Sequence, residues 1–125
     1  MCVLPWSGGA DISGILISKG TAMTQATDET LISIAVLKAK AGQREALRES
    51  LLALIEPTRA EPGCLDYVLF ELRDEPGTFY MREAFTSAAA LEVHKATPHF
   101  QAFAAKAGSL LAEPLRLIFL DRVSS

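Results

Sequence analysis

Residues 79–103 read FYMREAFTSAAALEVHKATPHFQAF, and a change of period inside this stretch decides the fold. Phe79, Met81, Glu83 and Phe85 alternate with Tyr80, Arg82 and Ala84, which is the period of a strand over Thr78–Phe85. Thr86 or Ser87 then offers a side-chain oxygen to cap a helix over Ala88–Lys95. Thr97-Pro98 makes a second cap, with proline at the favoured first helical position. The helix it opens runs to about Ala112 and aligns Phe100, Phe103, Ala107 and Leu110 or Leu111.

Working outward, Thr30–Lys38 (TLISIAVLK) is apolar and β-branched, and suits a strand buried on both faces. Gln43–Ile55 reads as a helix with Leu47, Leu51, Leu54 and Ile55 on one face, and Pro57 should kink or end it. Glu61-Pro62-Gly63 is a firm stop. Cys64–Arg73 is a strand, with Leu65, Tyr67 and Leu69 on one face and Val68, Phe70 and Leu72 on the other. Asp74-Glu75-Pro76-Gly77 is a tight hairpin connection, and Leu115–Arg122 is the last strand.

The order strand, helix, strand, strand, helices, strand is that of an α+β, ferredoxin-like split βαβ fold: a four-stranded antiparallel sheet with helices on one face. The other sheet face is left bare and apolar. A patch of that size marks an interface, so the expected state is a homodimer joined through the sheet faces. The cavity of each subunit would lie between its own sheet and helices.

The composition narrows the function classes. The chain has 125 residues, enough for one domain, and a formal net charge of −3. It has no basic stripe, which argues against nucleic acid. No apolar run approaches the roughly 20 residues that span a bilayer. Cys2 and Cys64 form neither a disulfide framework nor a metal-ligand spacing, and a reducing cytoplasm fits them best. Residues 1–28 read as a poorly ordered or loosely docked extension before a domain over 29–125. Within it Ile12, Ile15, Leu16 and Ile17 suit a short strand or a cover for an apolar patch, and Met23 is an alternative start. Phosphate-loop, dinucleotide, CxxC and HExxH motifs are all absent, so an enzyme here would need no cofactor of its own.

The chemistry-bearing residues gather in the opening stretch. His94 and His99 are the only histidines, five residues apart. Imidazole exchanges protons near neutral pH. His94 at a helix C-terminus should titrate higher and His99 at a helix N-terminus lower, two bases tuned apart as acid–base catalysis uses them. Plain helix-end hydrogen bonding would account for them equally. With no third ligand in view they make a poor metal site. Glu83 sits mid-strand among apolar neighbours, where a carboxylate is costly unless paired. It suits orienting a histidine, holding a substrate hydroxyl, or an ion pair. Tyr67, Phe85, Phe100 and Phe103 suit the walls of an aromatic pocket, or core.

Glu61-Pro62-Gly63-Cys64-Leu65-Asp66-Tyr67, then Phe79-Tyr80-Met81-Arg82-Glu83-Ala84-Phe85, then Leu91 through Phe100 (LEVHKATPHF) together resemble the antibiotic biosynthesis monooxygenase (ABM) family. The resemblance covers about Thr30 to Val123. It implies a ferredoxin-like subunit of a dimeric α+β barrel. It also implies cofactor-independent oxidation of a quinol or related phenol by O₂, with isomerisation of a phosphorylated autoinducer-type hydroxyketone as the other branch. A non-catalytic dimer holding a small apolar ligand is the third possibility. Haem-degrading members carry an asparagine in the first strand, and this chain has none anywhere. Phe85 stands where many members have tryptophan. Under the resemblance His94 or His99 is the base, Glu83 orients it, Tyr67 holds a substrate oxygen, and Lys95 or Arg82 is the cation a phosphate would need.

Overall fold

The computed structural model describes residues 30–124; the extension expected over residues 1–28 lies outside them. Strands β1 (Leu31–Lys38), β2 (Cys64–Glu71), β3 (Thr78–Phe85) and β4 (Arg116–Leu120) form one sheet in the order β2-β3-β1-β4. Every neighbouring pair is antiparallel. Helices α1 (Arg44–Arg59), α2 (Ala88–Lys95) and α3 (Pro98–Leu110) complete the ferredoxin-like α+β fold.

Register fixes which side chains meet the helices. Ser33 pairs with Glu83, Ala35 with Met81, and Leu37 with Phe79, so these inner residues of β1 and β3 line up across the sheet. Leu47, Leu51 and Leu54 of α1 and Phe103, Ala107 and Leu110 of α3 close over them as the core. The caps act as the sequence predicts. Ser87 accepts from the Ala90 N–H at the start of α2, and Thr97 accepts from Phe100 N–H with Pro98 in the first turn of α3.

Three local expectations are corrected. The first concerns β1, which is buried on its helix-facing side only; Ile32, Ile34 and Val36 are partly exposed on the outer face. The second is that α1 does not end at Pro57 but continues through it to Arg59. A proline removes one N–H donor, and the last turn tolerates the loss because the Ala60 N–H still closes onto Glu56 O. The third is a β-bulge between Cys64 and Asp66. The extra residue, Leu65, is 57% exposed and does not share a face with Tyr67; the bulge instead puts both Cys64 and Tyr67 against the core.

The outer sheet face keeps Phe70, Ile118 and Leu120 exposed. It also carries an ion pair, Arg82 Nε to Asp66 Oδ2 at 2.7 Å, with the guanidinium over the Phe70 ring. Arg82 and Glu83 therefore belong to opposite faces, as the alternation predicts.

Gly63 joins the two halves of the fold. Its carbonyl accepts from the Thr86 N–H at 2.9 Å, which ties the α1–β2 loop to the β3–α2 loop. A Cβ at this position would lie 2.5 Å from the Ala90 Cβ, closer than real side chains approach. Gly63→Ala is expected to destabilise the protein by about 1–3 kcal/mol. Adding Ala90→Gly should restore part of that loss by removing the clash. Urea unfolding of the single and double variants measures both, and equal stabilities would refute the close-packing account.

Candidate active site

Glu61 sits in the turn after α1, where its N–H bonds Thr58 O and its carbonyl accepts from the Cys64 N–H. The Gly63–Ala90 approach brings this turn beside α2. His94 is in the last turn of α2, and His99 is the second residue of α3. Between them the Thr97 hydroxyl donates to His94 O at 2.7 Å, which holds the bend that turns both rings the same way.

Both imidazoles converge on one oxygen. His94 Nδ1 lies 2.9 Å and His99 Nε2 2.7 Å from Glu61 Oε2. A carboxylate offers only acceptors, so each facing nitrogen carries a proton. For His94 this assigns the proton to Nδ1 and leaves the lone pair on Nε2. The second carboxylate oxygen, Glu61 Oε1, is buried with no hydrogen-bond partner among the described residues. Glu61 is the functional candidate that the sequence reading missed as such. It was visible only as the first residue of the Glu-Pro-Gly turn.

A small cavity of about 20 Å³ lies between sheet and helices, where one was expected. Tyr67, Glu83, Leu91, His94, Phe100 and Phe103 are among the residues that line it. Phe85 packs on the His94 ring with centroids 5.2 Å apart, Phe100 at 5.1 Å, and Tyr67 edge-on at 5.6 Å. The expected aromatic residues and His94 thus come together. His99 does not line the cavity. It stands behind His94, across Glu61, with its side chain 22% exposed.

Burial sets the charge states. His94 is 2% exposed, and desolvation lowers its pKa although Glu61 pulls the other way. The upward shift expected from the helix dipole is therefore overruled. Glu83 is buried, and desolvation with the charge of Glu61 behind it pushes its pKa up to about 8. Among the described residues it forms no ion pair and no histidine hydrogen bond, since Glu61 holds the histidines, and of the roles expected of it holding a substrate hydroxyl is the one left. As a protonated acid Glu83 is a hydrogen-bond donor at neutral pH. Burial also raises Tyr67 well above the usual phenol range, and this is partly offset by the Thr58 hydroxyl. The cavity lining thus combines one neutral imidazole, two neutral O–H groups and Lys95 with otherwise apolar residues. Metal-ligating atoms also meet here: those of Glu61, His94 and His99 lie within 4.8 Å of one another. Glu61 is thus a third potential ligand beside the two histidines, which the sequence did not reveal.

A ferredoxin-like sheet roofed by helices over an acid–base pocket defines a small-molecule-handling α+β protein. Known proteins make the class specific. The sequence profile described as "Antibiotic biosynthesis monooxygenase" matches residues 30–106, and the chain belongs to this family. It is 39% identical over 84 residues to "Putative monooxygenase YcnE" of Bacillus subtilis, covering 67% of this chain and 88% of that one. It is 33% identical over 90 residues to "Uncharacterized protein sll1783" of Synechocystis, covering 72% of this chain but only 61% of that relative's length. Among solved structures, PA3566 from Pseudomonas aeruginosa superposes with a TM-score of 0.73 at 40% identity, over 76% of this chain and 95% of that chain. Among the described residues no helix is long and apolar enough to cross a membrane.

The buried acid has a measurable signature. The native state keeps the Glu83 proton where the unfolded chain has released it, between about pH 4.5 and about 8. Stability should therefore fall as pH rises through that window, by at most about 1.4 kcal/mol per pH unit from this group. Glu83→Gln keeps a neutral polar side chain and removes the titration. Urea unfolding at pH 5 and pH 8 should show the variant gaining on the wild type at the higher pH. Parallel pH dependences would refute a neutral Glu83.

Proposed function

We propose that this protein is a cofactor-independent monooxygenase acting on a quinol or related small phenol with O₂. The observation that carries this reading is His94: its Nδ1 is held by Glu61, which leaves a basic Nε2 on a ring that lines the cavity. A phenolic hydroxyl placed against that nitrogen loses its proton to it. Tyr67 and the protonated Glu83 donate hydrogen bonds to substrate oxygens and stabilise the charge that develops there. Phe100 and Phe103 flank the ring, for which the cavity must widen beyond its present volume of about 20 Å³, and Phe85 backs the His94 imidazole. The phenolate passes one electron to O₂, and the radical pair recombines at a ring carbon to give a peroxide. Loss of water from the peroxide leaves a carbonyl, so that quinol plus O₂ gives hydroxyquinone plus water.

The family match and the monooxygenase name of a relative support the oxygenase branch. The isomerase branch needs a cation for a phosphate. Arg82 is on the far sheet face paired with Asp66, and Lys95, which lines the cavity, pairs with Glu92 at 2.9 Å. A cytoplasmic homodimer completes the proposal, with two copies burying Phe70, Ile118 and Leu120 against each other.

Oxygen uptake by metal- and flavin-free protein over a panel of quinols tests the activity. The expected result is turnover above the uncatalysed rate, with His94→Gln slower by about 10²–10⁴-fold. No uptake across the panel, or an unaffected His94→Gln, would overturn the reading. Sedimentation tests the assembly separately: the wild type should run as two chains, and Phe70→Asp with Ile118→Asp as one. A monomeric wild type would refute the dimer.

A further inference from the structure

We propose that Glu61, His94 and His99 form a binding site for one divalent transition-metal ion, with zinc the ion that their chemistry suits best. Zinc takes imidazole nitrogen and carboxylate oxygen at about 2.0–2.2 Å, and open sites use three protein ligands with a fourth position for water. The trio provides that set, with its ligand atoms within 4.8 Å of one another. Tetrahedral bonds of about 2.1 Å put neighbouring ligand atoms roughly 3.4 Å apart. The nitrogen-to-oxygen distances are 2.9 and 2.7 Å, so these pairs need to part by about 0.5 and 0.7 Å, while the two ring nitrogens, within 4.8 Å of each other, settle to about 3.4 Å around the ion.

A second observation points the same way. Glu61 is 8% exposed in its side chain, yet its Oε1 has no partner among the described residues. A buried acceptor left unsatisfied in a native fold marks a place for a water or an ion. A water on the fourth position of the bound metal is one group that this oxygen can accept from. The ion has a way in, because the outer ring, His99, is 22% exposed. No change of protonation is needed when both rings are neutral: each moves its proton to the nitrogen facing away from the metal. For His94 that nitrogen is Nε2, so the metal-loaded protein would present a donor to the cavity instead of a base. This last consequence rests on the function proposed above; binding of the ion does not.

The full chain, stripped with a chelator, is titrated with Zn²⁺ against a chromophoric competitor, and with Co²⁺ as an optical probe of coordination. One zinc per chain is expected, with a Kd of about 1 μM or tighter. Glu61→Gln and His99→Ala should each weaken it by about tenfold or more, with folding followed by far-UV circular dichroism. His99, the more exposed of the two rings, is the less disruptive site to change. A Cys2→Ser, Cys64→Ser double variant should bind as the wild type does. Absence of stoichiometric zinc binding, retention of wild-type affinity in Glu61→Gln and His99→Ala, or loss of binding in the cysteine variant would overturn the assignment. The readout is affinity, so it is decided whether or not any quinol is oxidised.

Discussion

One carboxylate oxygen organises this molecule's chemistry. Glu61 Oε2 accepts from both imidazoles, and the placing of both rings depends on that bond pair. It fixes the tautomer of His94, whose ring is too deeply buried to be oriented by solvent. Its charge also disfavours ionisation of Glu83 and so helps keep that acid protonated. The same negative charge favours the protonated form of both neighbours: it reinforces burial at Glu83, which keeps its proton, and opposes burial at His94, where desolvation prevails and the ring stays neutral. The cost of burying Glu61 is offset by two N–H donors, which is how folded proteins admit charge to their interiors.

The fold was legible because its signals are local. Alternation in Thr78–Phe85, the Ser87 and Thr97 caps and the hairpin turn each act within a few residues, and together they allow few topologies. The bulge at Leu65 was not legible. A bulge depends on register against β3, and a strand read alone shows only unbroken alternation. Pro57 misled for the opposite reason: its local rule is sound, but the last turn of α1 is held by packing of the fully buried Thr58 as well as by hydrogen bonds.

The candidate site divides along the same line. His94, Tyr67, Phe100 and Phe103 lie on one side of their elements, and periodicity places them beside a common space. Glu61 comes from 33 residues before His94, out of a turn whose composition reads as punctuation. Nothing in the spacing connects it to the histidines. The charge states were likewise hidden, since desolvation outweighs the helix dipole at His94 and depends on what packs over the ring rather than on where the ring falls in its helix.

The eight-residue α2 carries a consequence for how the protein fails. So short a helix has little stability of its own and persists through its cap and the contact of Ala90 with Gly63. If α2 opens while the sheet holds, His94 swings away from Glu61 and the cavity loses a wall. Such partial openings lie below global unfolding in free energy. Heat would then dismantle the candidate site at temperatures where the β-sheet spectrum is still intact, and the loss would reverse on cooling because the strands that template the site never separated.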